Sequence, residues 1–355
     1  MANQETQLLD EIIVQSRRKM LTLSAASLAG LVVAGAAKSA KAATASYSDS
    51  DILNFALNLE YLEANFYYAA AFGTTIDVAN NASTAAGAPV ITLSGTVGTA
   101  GSVSGGSKVS FATIPVASYA IETAVEEGKH VATLLSALGS AAVAQPAINI
   151  GTAFQTLAAA ANTLTPSGNI PSGFSPYAND DTFLVGAYIF EDVGVTAYHG
   201  AASLLTSSAN LSVAAGILGV EAYHAGLVRT TINYIDPTGS LGLVGYTTSI
   251  SNLRNALSQA GLLGVPPGPT SYDANPDDYG LATFTTPTAL GGSDPATATR
   301  IVDANPSNVV AFARNTTQVL NIVTGGGAVN GSSAVSPATG VFFPNGMNAG
   351  PNGFK

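Results

Sequence analysis

Apolar side chains return at helical spacing along four long stretches of this chain. In the first, Ile52, Phe55, Leu59, Leu62 and Phe66 set the period. This spacing predicts a helix from Asp51 to about Phe72, with Asp49, Ser50 or Asp51 as its cap. Pro115 opens a second helix, which runs to about Leu138 and stops at Gly139. Asp180 or Asp181 caps a third, to about Leu205. A short Ser/Asn turn leads to a fourth, from Ser212 to about Tyr234, ended before Pro237.

Between these stretches the pattern changes. Gly73 to about Thr113 is rich in Gly, Ser, Thr and Val, with short alternating runs at Val90-Ile91-Thr92-Leu93 and Val109-Ser110-Phe111. It reads as a small β-rich surface insertion. A long crossover joins the second and third helices, with a shorter helix near Ile150 to Leu164 and a Pro/Gly-rich loop to Tyr177. After Pro237 one helix is expected near Ile250 to Ala260. Pro266-Pro267-Gly268-Pro269 breaks the chain, Ser307 caps a last helix to Val323, and Gly/Asn/Pro-rich coil follows. No internal repeat of fixed period is visible. One long connection, between the second and third of four helices, separates this pattern from up-down bundles with short loops. The expected organisation is all-α: a four-helix bundle over 43–236, interrupted by the 73–113 insertion, then a loop-rich C-terminal extension with short helices over 237–355.

The first forty-odd residues read as an address. Ser16-Arg17-Arg18-Lys19-Met20-Leu21 precedes an Ala/Gly/Ser-rich apolar run to about Ala36, and Ala40-Lys41-Ala42 is a small-x-small cleavage pattern. Paired arginines before a mild apolar run are the twin-arginine export signature. A signal peptide over 1–42 and a periplasmic or secreted mature chain are expected, with no stable membrane span after cleavage.

Composition narrows the chemistry. The chain has 355 residues, 47% hydrophobic and 10% charged, with a formal net charge of −10. The leader carries three acidic and five basic residues, so its removal makes the mature chain more acidic. No basic patch is present, which argues against a nucleic-acid partner. There is no Cys, which excludes disulfides, iron–sulfur clusters and thiol catalysis. Any metal site must use His, carboxylate or Tyr ligands, which suit iron, manganese or zinc.

The acidic residues are not scattered. After the leader the glutamates are Glu60, Glu63, Glu122, Glu126, Glu127, Glu191 and Glu221, and the histidines are His130, His199 and His224. All lie on the four expected helices. Glu127-Gly-Lys-His130 and Glu221-Ala-Tyr-His224 are Glu-x-x-His pairs on the second and fourth, and residues at i and i+3 share a helical face. The first and third helices each offer a glutamate without a histidine partner at that spacing. One Glu from each of two helices plus Glu-x-x-His from each of the other two is the ligand plan of di-iron and di-manganese bundles. A lone ionised carboxylate inside a bundle is costly. Two divalent cations would balance four of them, with neutral imidazoles completing the shell.

On the first helix Glu60 and Glu63 compete. Glu60 is preferred, because Tyr67 lies seven residues on at nearly the same azimuth. From there it can hydrogen-bond a ligand carboxylate or carry an electron, which makes Tyr67 the candidate catalytic residue. Glu63 reads as outer shell or surface, as do Glu122 and Glu126. On the third helix Glu191 stands alone. His199, eight residues beyond it, reads as outer shell or a satisfied histidine. Asp192 and Arg229 read as orienting or solvated residues.

These residues carry a resemblance. Ile52-Leu-Asn-Phe-Ala-Leu-Asn-Leu-Glu60-Tyr-Leu-Glu63 resembles the opening helix of the bacterial ferritin-like-domain family that includes plant desiccation-related proteins. Val220-Glu221-Ala-Tyr-His224-Ala resembles its closing helix. Ala311-Phe-Ala-Arg-Asn-Thr-Thr-Gln-Val-Leu-Asn-Ile-Val and Phe342-Phe-Pro-Asn-Gly-Met-Asn resemble its C-terminal signature. The resemblance implies a ferritin-like four-helix bundle. Through more distant rubrerythrins, bacterioferritins and manganese catalases it implies metal-ligand roles at Glu60, Glu127, His130, Glu191, Glu221 and His224. The cofactor would be two Fe or two Mn ions, and the substrate a small oxidant such as peroxide or dioxygen. The rubredoxin-type centre of rubrerythrins needs cysteines that this chain lacks. The alternative function is a stress or desiccation-related structural protein whose metal only holds the fold. A storage shell suits the bulky insertion and tail poorly, and the sequence allows a homo-oligomer without specifying one.

Overall fold

The computed structural model describes residues 47–79, 88–91, 93, 97–165, 170–263, 276–285, 297–325 and 340–349. The leader expected at 1–42 and the Pro266–Pro269 break lie outside these residues. Four long helices form the bundle: α1 (Asp49–Phe72), α3 (Ile114–Leu138), α5 (Asp180–Ala202) and α6 (Ser208–Ile235). A short α2 (Ile76–Ala79) follows α1, and α4 (Thr152–Leu164) lies in the crossover. Beyond the bundle come α7 (Leu243–Leu263) and α8 (Thr316–Val323). α1 packs mainly against α3, and α5 against α6; α7 packs with α8 and α4 and against α5.

The helix starts differ from the expected ones, by the most at α7 and α8, for identifiable reasons. Ser48 caps α1 in a reciprocal box with Asp51. Asp49, an expected cap, instead accepts from the Thr206 and Ser207 amides and from Asn210, stapling α1 to the α5–α6 turn. Asn179 caps α5 with Thr182, while Asp180 accepts from the Ala112 and Thr113 amides just before α3. Asp236 takes the Leu243 amide at 2.8 Å, so α7 starts before Ile250. A carboxylate there favours the helix N-terminus. Asn315, boxed with Gln318, caps α8; Ser307 does not cap it.

The 73–113 segment departs more from expectation. Among the described residues its strand is β1 (Val103–Ser104), which pairs in parallel with β2 (Ile148–Asn149) of the crossover. Val97 bridges Val143 in the same sense. Among the described residues the segment therefore pairs with the crossover, and Ile91 and Val109 are buried in the main core. A parallel partner is distant in sequence, so local alternation cannot reveal it. A second small ladder, β3 (Thr283–Thr285) with β4 (Thr297–Thr299), lies in the extension.

α1 is buried on nearly every side. Its polar residues hold the surrounding loops: Asn54 exchanges hydrogen bonds with Ala141 O and the Val143 amide, and Asn58 does so with both backbone groups of Asn348. Each amide side chain stands in for a peptide group and satisfies loop backbone that would otherwise be buried unpaired. By length and composition α6 is apolar enough to cross a membrane, but its buried residues include Glu221, His224 and Arg229, which makes it a bundle helix with an ionisable inner face.

Candidate metal centre

The bundle brings all six expected donors together. α1 delivers Glu60, α3 Glu127 and His130, α5 Glu191, and α6 Glu221 and His224; none is more than 7% exposed. They fall into two groups that share one residue. Glu60, Glu127, His130 and Glu221 each offer a ligand atom within 4.8 Å of the others, and so do Glu127, Glu191 and His224. Nδ1 of His130 lies 3.3 Å from Glu60 Oε2, 3.3 Å from Glu127 Oε2 and 3.4 Å from Glu221 Oε1. Nδ1 of His224 lies 3.0 Å from Glu127 Oε1 and 3.4 Å from Glu191 Oε2. The two oxygens of Glu127 thus face different histidines, the arrangement of a carboxylate that bridges two cations.

Local sequence makes room for this cluster. A Cβ on Gly194 of α5 would lie 2.2 Å from Glu221 Oε2, and one on Gly128 would lie 1.9 Å from Ile91 Cδ1. Neither position tolerates a larger residue without moving a neighbour. Two tyrosines hold the carboxylates that have no histidine three residues on. Tyr67 of α1 donates to Glu191 of α5, and Tyr198 of α5 donates to Glu60 of α1. Glu126, half-exposed, lies 2.7 Å from Nε2 of His224. In the neutral ring this puts the proton on Nε2 and turns the Nδ1 lone pair inward.

The electrostatics fit a cationic occupant. Glu60 Oε2, Glu127 Oε1, Glu191 Oε2, both oxygens of Glu221 and Nδ1 of His224 are buried and, apart from the imidazole–carboxylate contacts above, make no hydrogen bond among the described residues. Such atoms are costly unless an ion or proton meets them. Burial, reinforced by the neighbouring carboxylates, pushes Glu221 and Glu63 well above the usual carboxylate range. Burial also raises Glu191, and raises Glu60 to about 7 even against the pull of His130. For Glu127 burial is outweighed by the two histidines, which hold it below its ordinary value. Burial disfavours imidazolium, yet the carboxylates around His130 and His224 raise both. The protein alone thus balances its charge with protons. A set of carboxylate oxygens and imidazole nitrogens suits iron, manganese or zinc in the same place.

Tyr67 is at the cluster, but its partner is Glu191, not Glu60. Glu63 is buried, not superficial, and stands outside both donor groups. Glu122 is exposed. His199 Nδ1 lies 3.0 Å from Phe312 O and is satisfied there. Asp192 and Arg229 are paired at 2.9 Å in a buried ionic network with Arg254, Asp278, Asp277 and Arg314. Asp192, Asp278 and Asp303 also form an acidic cluster, but these guanidinium groups already supply its positive charge. Tyr198, Gly194 and the Glu126 contact went unread in the sequence. Tyr198 carried a signal, since Glu191 and Tyr198 repeat the seven-residue spacing of Glu60 and Tyr67.

The family model for the ferritin-like domain matches residues 48–234. A desiccation-related protein of Craterostigma plantagineum is 31% identical over 223 residues, covering 61% of this chain and 64% of its own length. The chain therefore spans just under two thirds of that relative. A ferritin-like catalase of Nesocodon mauritianus is 24% identical over 306 residues, covering 85% of this chain and 84% of its own. No solved structure matches.

Proposed function

The chain belongs to the ferritin-like domain family, and from that premise we propose that it is an exported di-metal oxidoreductase acting on peroxide or dioxygen. The observation that carries the reading is the shared glutamate: Glu127 turns one oxygen to each histidine, inside a ring of buried donors. Two bound iron or manganese ions would supply Lewis acidity and a redox change shared between them. The chain's own residues do the rest. Glu60, His130 and Glu221 would hold one ion and Glu191 and His224 the other, with Glu127 available to both. Tyr67 and Tyr198 fix the carboxylates of Glu191 and Glu60 and keep a phenolic proton at each. The likeness to a ferritin-like catalase favours peroxide disproportionation. The paired arginines and cleavage pattern of the leader favour action outside the cytoplasm.

The test is turnover by the full mature chain loaded with manganese or with iron. Peroxide disproportionation is expected with at least one metal, and Glu127→Ala with His130→Ala should lose metal and turnover together. Wild-type metal stoichiometry in that double variant removes the reading. A second reading, in which the metal only holds the fold, is favoured by the burial of all six donors and by the likeness to a desiccation-related protein. A loaded, stable chain that turns over neither oxidant would put it first.

A further inference from the structure

The crossover helix α4, the extension helices α7 and α8 and the tail do not lie flush on the α1–α5 pair. They leave a cavity of about 40 Å³. Leu62 of α1 and Val193 of α5 line its bundle side, and Leu253 and Phe342 its outer side. Its ionisable lining residues are Glu63 and Arg254. At roughly 10–15 Å³ for each water-sized probe, this is room for a few small molecules at most.

The lining selects among them. A buried water needs two to four polar partners. Arg254 is committed to Tyr188 O at 2.7 Å, Asp192 at 3.0 Å and Asp278 at 2.8 Å, which leaves Glu63 as the available group. Hydrogen peroxide, with two donors and two acceptors, meets the same shortage. Dioxygen asks for no hydrogen bond, and apolar cavities stay dry and take up apolar solutes such as xenon. Glu63 also follows Glu60 by one helical turn on α1, so the helix that walls the cavity also supplies the donor cluster.

We propose that this cavity is a dioxygen site beside the donor cluster, holding the gas as it reaches or leaves the metals. The inference rests on the redox reading above and narrows its small-molecule chemistry. The experiment is xenon titration of the metal-free full chain by ¹²⁹Xe NMR, with Leu253→Phe and Leu62→Phe as cavity-filling variants. The expected result is a saturable xenon shift in the wild type that is lost in a filled variant with unchanged helical circular dichroism. No saturable shift in the wild type, or one that persists in both folded variants, overturns the proposal. In the loaded enzyme, filling should raise KM for dioxygen several-fold if the gas enters there, or slow its release from peroxide if it leaves there. Unchanged kinetics in both directions also overturns it. Because the xenon experiment needs no metal, its failure leaves the donor cluster standing, whereas a chain that takes up no metal removes the redox reading whatever xenon does.

Discussion

The phenol of Tyr198 on α5 donates a hydrogen bond to the carboxylate of Glu60 on α1. Its counterpart runs the other way, from Tyr67 on α1 to Glu191 on α5. Each helix thus carries a Glu and, seven residues later, a Tyr, and each Tyr serves the other helix's Glu. Hydrogen bonds to charged groups are worth about 1.5–3 kcal/mol, and outer partners of metal ligands typically tune affinity about 10–100-fold. Tyr198→Phe should weaken one manganese-binding step by about that factor, and Tyr67→Phe the other, in calorimetric titration. Unchanged affinities in both variants would show that the phenols do not support the donors.

Gly194 tests the packing of the same cluster from outside the donor set. A Cβ there would lie 2.2 Å from Glu221 Oε2, and Ala itself suits a helix interior better than Gly by about 1 kcal/mol. Gly194→Ala should therefore keep its helix content while losing affinity in the group of Glu60, Glu127, His130 and Glu221. Wild-type titration curves would mean that Glu221 can move aside at no cost.

The pH dependence of the metal-free protein has a definite sign. Glu60 rises from 4.5 to about 7 on folding, and His130 and His224 rise above 6.5. Each binds more protons folded than unfolded, so its stabilisation is full below the unfolded value and is lost as pH rises toward the folded one. Glu127, lowered from 4.5, works oppositely and loses its stabilisation as pH falls below that value. Metal-free Tm should fall between roughly pH 5 and pH 8. Metal displaces those protons, so the Tm gain from added manganese should grow over the same window. Calorimetry across that window checks this, and a gain independent of pH would contradict it.

Arg314 separates stability from metal binding. It is fully buried, donates to Thr196 Oγ1 at 3.1 Å and pairs with Asp277 at 2.9 Å and Asp278 at 3.0 Å. Its removal takes the guanidinium from Asp277 and leaves Asp278 to Arg254 alone; breaking a buried pair typically costs about 3–5 kcal/mol, and the remaining partner puts this one at the low end. Arg314→Ala should show that loss in urea denaturation while retaining wild-type metal stoichiometry at low denaturant. A loss of metal with unchanged stability would reverse these roles.

What could be read from the sequence was local. The four helices follow from the recurrence of Leu59, Leu62 and Phe66 and their equivalents, and the donors from the three-residue step between Glu127 and His130, repeated at Glu221 and His224. What was missed depends on partners far along the chain. Val103 pairs with Ile148 in the crossover, Asp49 spends its carboxylate on Thr206 and Ser207, and Arg314 meets Asp277 and Asp278. No local period encodes such contacts. Glu63 read as outer shell or surface; residues of the crossover, extension and tail beside it, such as Phe154, Leu253 and Phe342, account for its burial.

The central claim is that Glu60, Glu127, His130, Glu191, Glu221 and His224 hold metal. The most direct measurement is elemental mass analysis of the mature chain, purified without chelator or added metal, followed by uptake from supplied iron(II) or manganese(II). About two iron or manganese ions per chain is the expected result, as in other bundles with this donor plan. A chain that contains neither metal and takes up neither would contradict it, and the buried donors would then have to be held by protons alone.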